Sequence, residues 1–216
     1  MDETTRLCHQ ARPGHGLTTV NPAIERGSTI LFPDYDSFVA SRRPRYYGRH
    51  GTETHEALKT AVADLEKGSD VLLTSSGLSA VNMTLTSFGE AGADILMPDT
   101  AYDPVRSFCD DFLVPRGVSI RYYDPLIGAG IADLIRPETT LIHAETPGSL
   151  TFEVQDLPAI CQAAGDVPVS VDNTWGAGYF FKPLEHGAAI SIQSATKYLS
   201  GHSDVFLGTA CSRDPA

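Results

Sequence analysis

Lysine is scarce in this chain. Four occur in 216 residues, Lys59, Lys67, Lys182 and Lys197. Basic residues of both kinds number 16 against 27 acidic ones, so the formal net charge is −11. That shortage disfavours a nucleic-acid-binding surface, which needs a basic face, but it leaves room for a small anion held locally. No run of ~18 apolar residues occurs, which excludes a membrane-spanning helix. The start, Met1 to Arg6, is polar and lacks an apolar signal core, so the expected location is the cytoplasm. Cysteine is sparse and scattered (Cys8, Cys109, Cys161, Cys211) with no Cys-x-x-Cys pair, which argues for free thiols over a disulfide framework or a zinc site. The seven histidines show no metal-ligand spacing. Repeats, low-complexity tracts and the Gly-x-Gly-x-x-Gly and Gly-Lys-Ser phosphate loops are all missing, which disfavours a nucleotide-binding domain.

What is present is an ordinary globular composition, 42% hydrophobic and 20% charged. Residues 1–45 carry turn formers (Pro13-Gly14, Asn21-Pro22, Pro33-Asp34, Pro44) and read as an extended N-terminal arm with little periodic structure. Residues 46–216 read as one large domain. From Thr52 the apolar spacing of Leu58, Ala61, Val62 and Leu65 predicts a helix closed by Gly68. Strands are predicted at 71–73, 94–97, 118–122, 141–144, 167–171, 190–193 and 205–207. Helices are predicted at 78–88, 104–113, 131–135 and 157–164. This alternation predicts an α/β fold, a mostly parallel sheet flanked by helices.

Several residues could carry chemistry. Lys197 follows a predicted strand in Ser191-Ile192-Gln193-Ser194-Ala195-Thr196-Lys197-Tyr198. A solvated lysine is protonated and a poor nucleophile; desolvation or a nearby cation frees its amine for Schiff-base formation. Asp172 ends the strand of Val169-Ser170-Val171-Asp172, where ligands bind in open α/β sheets; alone it reads equally well as an Asx turn. Gly77, in Ser75-Ser76-Gly77-Leu78, lets backbone approach a ligand at a helix N-terminus, or simply opens a capped helix. Tyr102 could stack on a flat ring or pack as a helix staple. Tyr47-Gly48-Arg49 offers a guanidinium suited to phosphate, or a solvated basic turn beside Arg42, Arg43 and Arg45. An imine-forming amine, phosphate-holding hydroxyls and a carboxylate for a pyridinium nitrogen are together the parts that hold pyridoxal phosphate.

Six ordered segments then carry a resemblance. They are Tyr47 to Thr52, Thr100 to Pro104, Asp124 to Ala129, Glu145-Thr146-Pro147-Gly148-Ser149, Val171 to Trp175 and Ser194 to Asp204. Together they resemble the trans-sulfuration family, the pyridoxal-phosphate enzymes of cysteine and methionine metabolism, and within it the bacterial cystathionine β-lyases. The resemblance implies the large domain of the type I fold. It implies Lys197 as the lysine joined to pyridoxal 5'-phosphate and as proton shuttle, Asp172 at the ring nitrogen, and Tyr102 stacked on the ring as the second catalytic residue. It places the phosphate on the Gly77 and Leu78 amides and the Ser194 and Thr196 hydroxyls. Tyr47 and Arg49 would reach a neighbouring subunit's phosphate in a homotetramer built from dimers, and Trp175 would line the substrate site. The implied reaction is α,β-elimination of an amino-acid thioether, L-cystathionine, to homocysteine, pyruvate and ammonia. γ-Lyase and γ-synthase activities stay open, although Glu145 to Ser149 leans toward the β-lyases. The family's chains are nearly twice this length, and the later half supplies a small domain and the arginine for the substrate carboxylate. The expectation is therefore a large domain lacking that C-terminal small domain, possessing unpaired last strands, or a non-catalytic fragment.

Overall fold

The structure, a computed structural model, describes residues 2–9, 19–40 and 46–213. Pro13-Gly14, Pro44 and the basic residues Arg42, Arg43 and Arg45 lie outside the described residues. The chain divides into two compact units, Met1–Ala61 and Val62–Ala216.

The first unit is largely irregular chain, with two short helices that the turn formers did not announce. Helix α1 (Glu3–His9) follows Asp2, whose carboxylate accepts from the Thr5 amide at 3.0 Å and the Thr5 hydroxyl at 2.8 Å. Helix α2 (Tyr35–Val39) is capped by Asp34, which accepts from the Ser37 amide at 2.7 Å. Both acids satisfy amides that have no partner within their helix. A single bridge pairs Thr29 with Tyr47, ahead of a 3-10 turn at Gly48–His50. Helix α3 (Glu53–Glu66) starts here and ends in the second unit.

The second unit is a seven-stranded sheet between two layers of helix. Its strands are β1 (Asp70–Thr74), β2 (Asp94–Pro98), β3 (Ser119–Tyr123), β4 (Thr139–Glu145), β5 (Val169–Asp172), β6 (Ile190–Gln193) and β7 (Gly208–Ser212). Their order is β1-β7-β6-β5-β4-β2-β3. Neighbours pair in parallel except β7, which runs antiparallel to both β1 and β6. Alternation along the central strands divides the core in two. Ile95, Met97 and Leu141 face one layer, with α4 (Gly77–Phe88) and α5 (Asp103–Phe108). Leu96, Ile142 and Val171 face the other, with a 3-10 segment at Gly128–Leu134 and α6 (Leu157–Ala164). Helix α5 runs on as a π turn at Cys109–Leu113.

One predicted strand is misplaced. Val205-Phe206-Leu207 has no regular structure, and Phe206 is 82% exposed. The strand begins three residues later, at Gly208. A Cβ there would lie 2.1 Å from the Ser76 carbonyl oxygen and 2.4 Å from Thr74 Oγ1. The sheet needs small residues at this approach, so the apolar triplet stays outside it. The expected loss of partners for the last strands is corrected too, because β7 is hydrogen-bonded on both sides.

Candidate active site

Strands β1, β2, β4, β5 and β6 point the same way, and the segments that leave their C-terminal ends carry nearly all the singled-out residues. This is the edge at which open α/β sheets bind ligands. β1 delivers Ser76, Gly77 and Leu78. β2 delivers Tyr102. β4 ends in Glu145 and β5 in Asp172. β6 leads into Ser194, Thr196 and Lys197.

Asp172 is held from one side. Its Oδ1 accepts from the Thr174 hydroxyl at 2.6 Å and the Thr174 amide at 3.0 Å. The same hydroxyl oxygen accepts from the Ser194 amide at 2.8 Å. Thr174 thereby ties the end of β5 to the loop that carries Lys197. Asp172 Oδ2 has no hydrogen bond among the described residues and is free to face a ligand. Burial pushes the Asp172 carboxyl above its ordinary range, while the Thr174 bonds and the Lys197 ammonium pull it back toward the charged form.

The turn after β1 is built for an anion. Ser76 caps α4 by accepting from the Ser79 amide at 3.0 Å. The amides of Gly77 and Leu78, first in the helix, have no acceptor within it. A Cβ on Gly77 would sit 1.8 Å from Ser194 Oγ and 2.7 Å from Ser194 Cα. Only glycine lets the Ser194 hydroxyl lie against these amides, at the positive end of the helix dipole. Thr196 is differently committed. Its hydroxyl donates to the Leu207 carbonyl at 3.2 Å and accepts from the Leu207 amide at 3.0 Å, so it must drop the longer bond to donate to a phosphate.

Lys197 is exposed, with Nζ 5.7 Å from the Tyr102 ring centroid. Tyr102 is 45% exposed and presents its ring at the mouth of the site. Trp175 stands between Phe152, at 5.5 Å, and Tyr198, at 5.9 Å. The second unit thus brings together Lys197, Asp172, Gly77, Leu78, Ser194, Thr196, Tyr102 and Trp175. Tyr47 and Arg49 belong to the first unit, where the Arg49 guanidinium lies 5.1 Å from the Tyr47 ring centroid.

Three positions that tie the site's strands and loops together escaped the sequence reading. Thr174 is one. Glu145 is buried and accepts from the Tyr102 amide at 2.8 Å. Glu66, at the end of α3, is fully buried; it accepts from the Ser191 hydroxyl at 2.9 Å and from the Gln193 side-chain amide. Both donors lie on β6, directly ahead of Ser194. A charged residue in a helix reads as solvent-facing, and only the strand it meets reveals otherwise.

The residues fit a pyridine aldehyde bearing a phosphate. The amides and Ser194 match the phosphate, the open oxygen of Asp172 matches the ring nitrogen, and Lys197 matches the aldehyde. Residues 3–216 match the family described as Cys/Met metabolism PLP-dependent enzyme. The chain belongs to that family. Its cofactor is pyridoxal 5'-phosphate. The chain is 43% identical over 216 residues to the cystathionine beta-lyase of Salmonella typhimurium, covering 95% of this chain and 55% of that one. It is 41% identical over 219 residues to the cystathionine beta-lyase of Haemophilus influenzae, covering 97% and 55%. The crystal structure of cystathionine gamma-lyase from Lactobacillus plantarum complexed with L-serine superposes with a TM-score of 0.90 at 29% identity, covering all of this chain and 56% of that one. The chain spans about half the length of the curated relatives it matches. Among the described residues no helix is long and apolar enough to cross a membrane.

Proposed function

We propose that the chain is the cofactor-holding part of a cytoplasmic carbon–sulfur lyase that cleaves L-cystathionine by α,β-elimination, giving homocysteine, pyruvate and ammonia. The observation that carries this reading is the convergence of the Lys197 amine, the open Asp172 oxygen and the Gly77–Leu78–Ser194 anion cradle on one sheet edge. The resemblance of Glu145 to Ser149 to the β-lyases, and the names of the Salmonella and Haemophilus relatives, support the substrate.

Pyridoxal phosphate, when bound, supplies a ring that can accept the electron pair left on Cα. The chain's residues do the rest. Gly77 and Leu78 amides and the Ser194 hydroxyl hold the phosphate, with Thr196 joining once its Leu207 bond is released. Asp172, whose charged form the Thr174 hydroxyl and amide favour, would hold the proton on the ring nitrogen. Tyr102 covers one face of the ring. Lys197 would anchor the cofactor through its amine and, once that amine is free, would carry the Cα proton as the Cβ–S bond breaks. Trp175 limits the space beside the substrate. Tyr47 and Arg49 serve the phosphate in a neighbouring subunit of a tetramer.

The test is direct. The purified gene product with added pyridoxal phosphate should develop a visible absorbance band that Lys197→Ala abolishes, and cystathionine should then yield pyruvate. 2-Oxobutyrate instead would replace the β-lyase reading by a γ-lyase one, which the likeness to the Lactobacillus plantarum enzyme favours. A lysine-dependent band without turnover would mark a cofactor-binding but non-catalytic chain.

A further inference from the structure

β4 ends in a carboxyl for which the elimination has no use. Glu145 is 7% exposed and sits in register with Asp172 on the adjacent parallel strand. Two acids therefore lie side by side at the bottom of the site. A buried carboxyl needs a partner, and Glu145 makes no ion pair among the described residues. Its partner is the Tyr102 backbone amide, at 2.8 Å from Oε2.

That bond matters because of what Tyr102 lacks. Its ring is nearly half exposed and it heads the six-residue helix α5 without a side-chain cap. A ring so placed could turn through many orientations, and the entropy of fixing it opposes stacking. Among the described residues, the amide is the point at which Tyr102 is hydrogen-bonded to the sheet. From there the ring reaches 5.7 Å from Lys197 Nζ.

We propose that Glu145 is a positioning residue: by accepting the Tyr102 amide it fixes the Tyr102 ring against the cofactor beside Lys197. The inference rests on the cofactor site proposed above and assigns that site a further residue. The working form of Glu145 is uncharged. Burial and the Asp172 carboxylate beside it push its carboxyl well above the usual range, outweighing the Tyr102 amide and the Lys197 ammonium, which favour the charged form. Among the described residues, these three groups, from β5, from the segment after β2 and from the segment after β6, are the ones that act on its carboxyl, while the Gln155 side-chain amide donates to its backbone carbonyl.

The experiment compares Glu145→Gln and Glu145→Ala in the whole chain. Glutamine keeps an uncharged acceptor, and alanine removes it. Without cofactor, hydrogen exchange at the Tyr102 amide should be about tenfold faster in Glu145→Ala and nearly unchanged in Glu145→Gln, the effect of one lost hydrogen bond. With cofactor, the pyridoxal phosphate dissociation constant should rise about tenfold in Glu145→Ala and stay within about twofold in Glu145→Gln. Should the alanine variant fail to fold, Glu145→Asp, which draws the acceptor back by one methylene, should show the same losses. Unchanged exchange and affinity in Glu145→Ala would overturn the proposal. So would equal losses in Glu145→Gln, which would mean that charge rather than the acceptor matters. A wild-type chain without the lysine-dependent band would instead sink the enzyme reading, while the exchange measurement would still decide the fastening of Tyr102.

Discussion

Thr174 hands one hydrogen bond to Asp172 through its hydroxyl and receives another from Ser194, so a single buried side chain sets the spacing between acid and amine. Replacing it with valine keeps the volume and removes both bonds. Asp172 would then lose one charge-favouring contact, and its carboxyl would rise further toward the neutral form. Hydrogen bonds to charged groups are worth ~1.5–3 kcal/mol, so Thr174→Val should weaken pyridoxal phosphate binding by about tenfold or more, read by titrating the visible band. At this scale the sequence was partly legible. Asp172 stood out because it ends an apolar strand, and Lys197 because it closely follows one. Thr174, Glu145 and Glu66 did not, because their meaning lies in neighbours far off in sequence. Glu66 meets Ser191 and Gln193 across 125 and 127 residues.

The elements were more legible than the contacts between them. Strands β1 to β6 and helices α3, α4 and α6 follow their apolar periodicity to within a few residues. β7 did not, since Gly208 to Ser212 is a strand of mostly small residues whose place is dictated by the approach of β1. The turn between β1 and α4 is similarly tight. In Gly77→Ala the new methyl meets the Ser194 backbone as well as its hydroxyl, and neither can move without shifting β6 and Lys197. The overpacking should cost about 1–3 kcal/mol and lower the melting temperature by several degrees, with cofactor affinity falling in parallel. A variant that melts as the wild type does would show that the turn gives way freely.

Acidity acts on the whole molecule. His143 is buried in β4 with Nδ1 2.9 Å from Ser170 Oγ, and burial lowers its pKa from 6.5 to about 4. Asp94, fully buried, is also held below its ordinary range. Burial alone would raise it, but the Arg121 fork, at 2.6 Å on each oxygen, and the Thr139 hydroxyl at 2.7 Å prevail. In both cases the unfolded chain binds the proton first. His143 contributes stability above pH 6.5 that is lost as the pH falls toward about 4, amounting to about 3 kcal/mol. Asp94 adds a loss at still lower pH. Glu66, Glu145 and Asp172, with raised pKa values, act in the opposite sense and lose stability as the pH rises. Urea midpoints between pH 6.5 and 4 should therefore fall less steeply in His143→Gln than in the wild type; identical slopes would refute the assignment. Asp94→Asn, which leaves the part-buried Arg121 guanidinium without its carboxylate, should lower stability at neutral pH by about 1–3 kcal/mol, read from the same curves. One consequence reaches beyond any single site. Gly208 touches no reactive atom, yet its missing side chain is what lets Thr74 and Ser76 reach their places. In a colony screen scored by yellow colour, changes at that chemically silent glycine would be counted among the colourless hits alongside changes at the lysine itself.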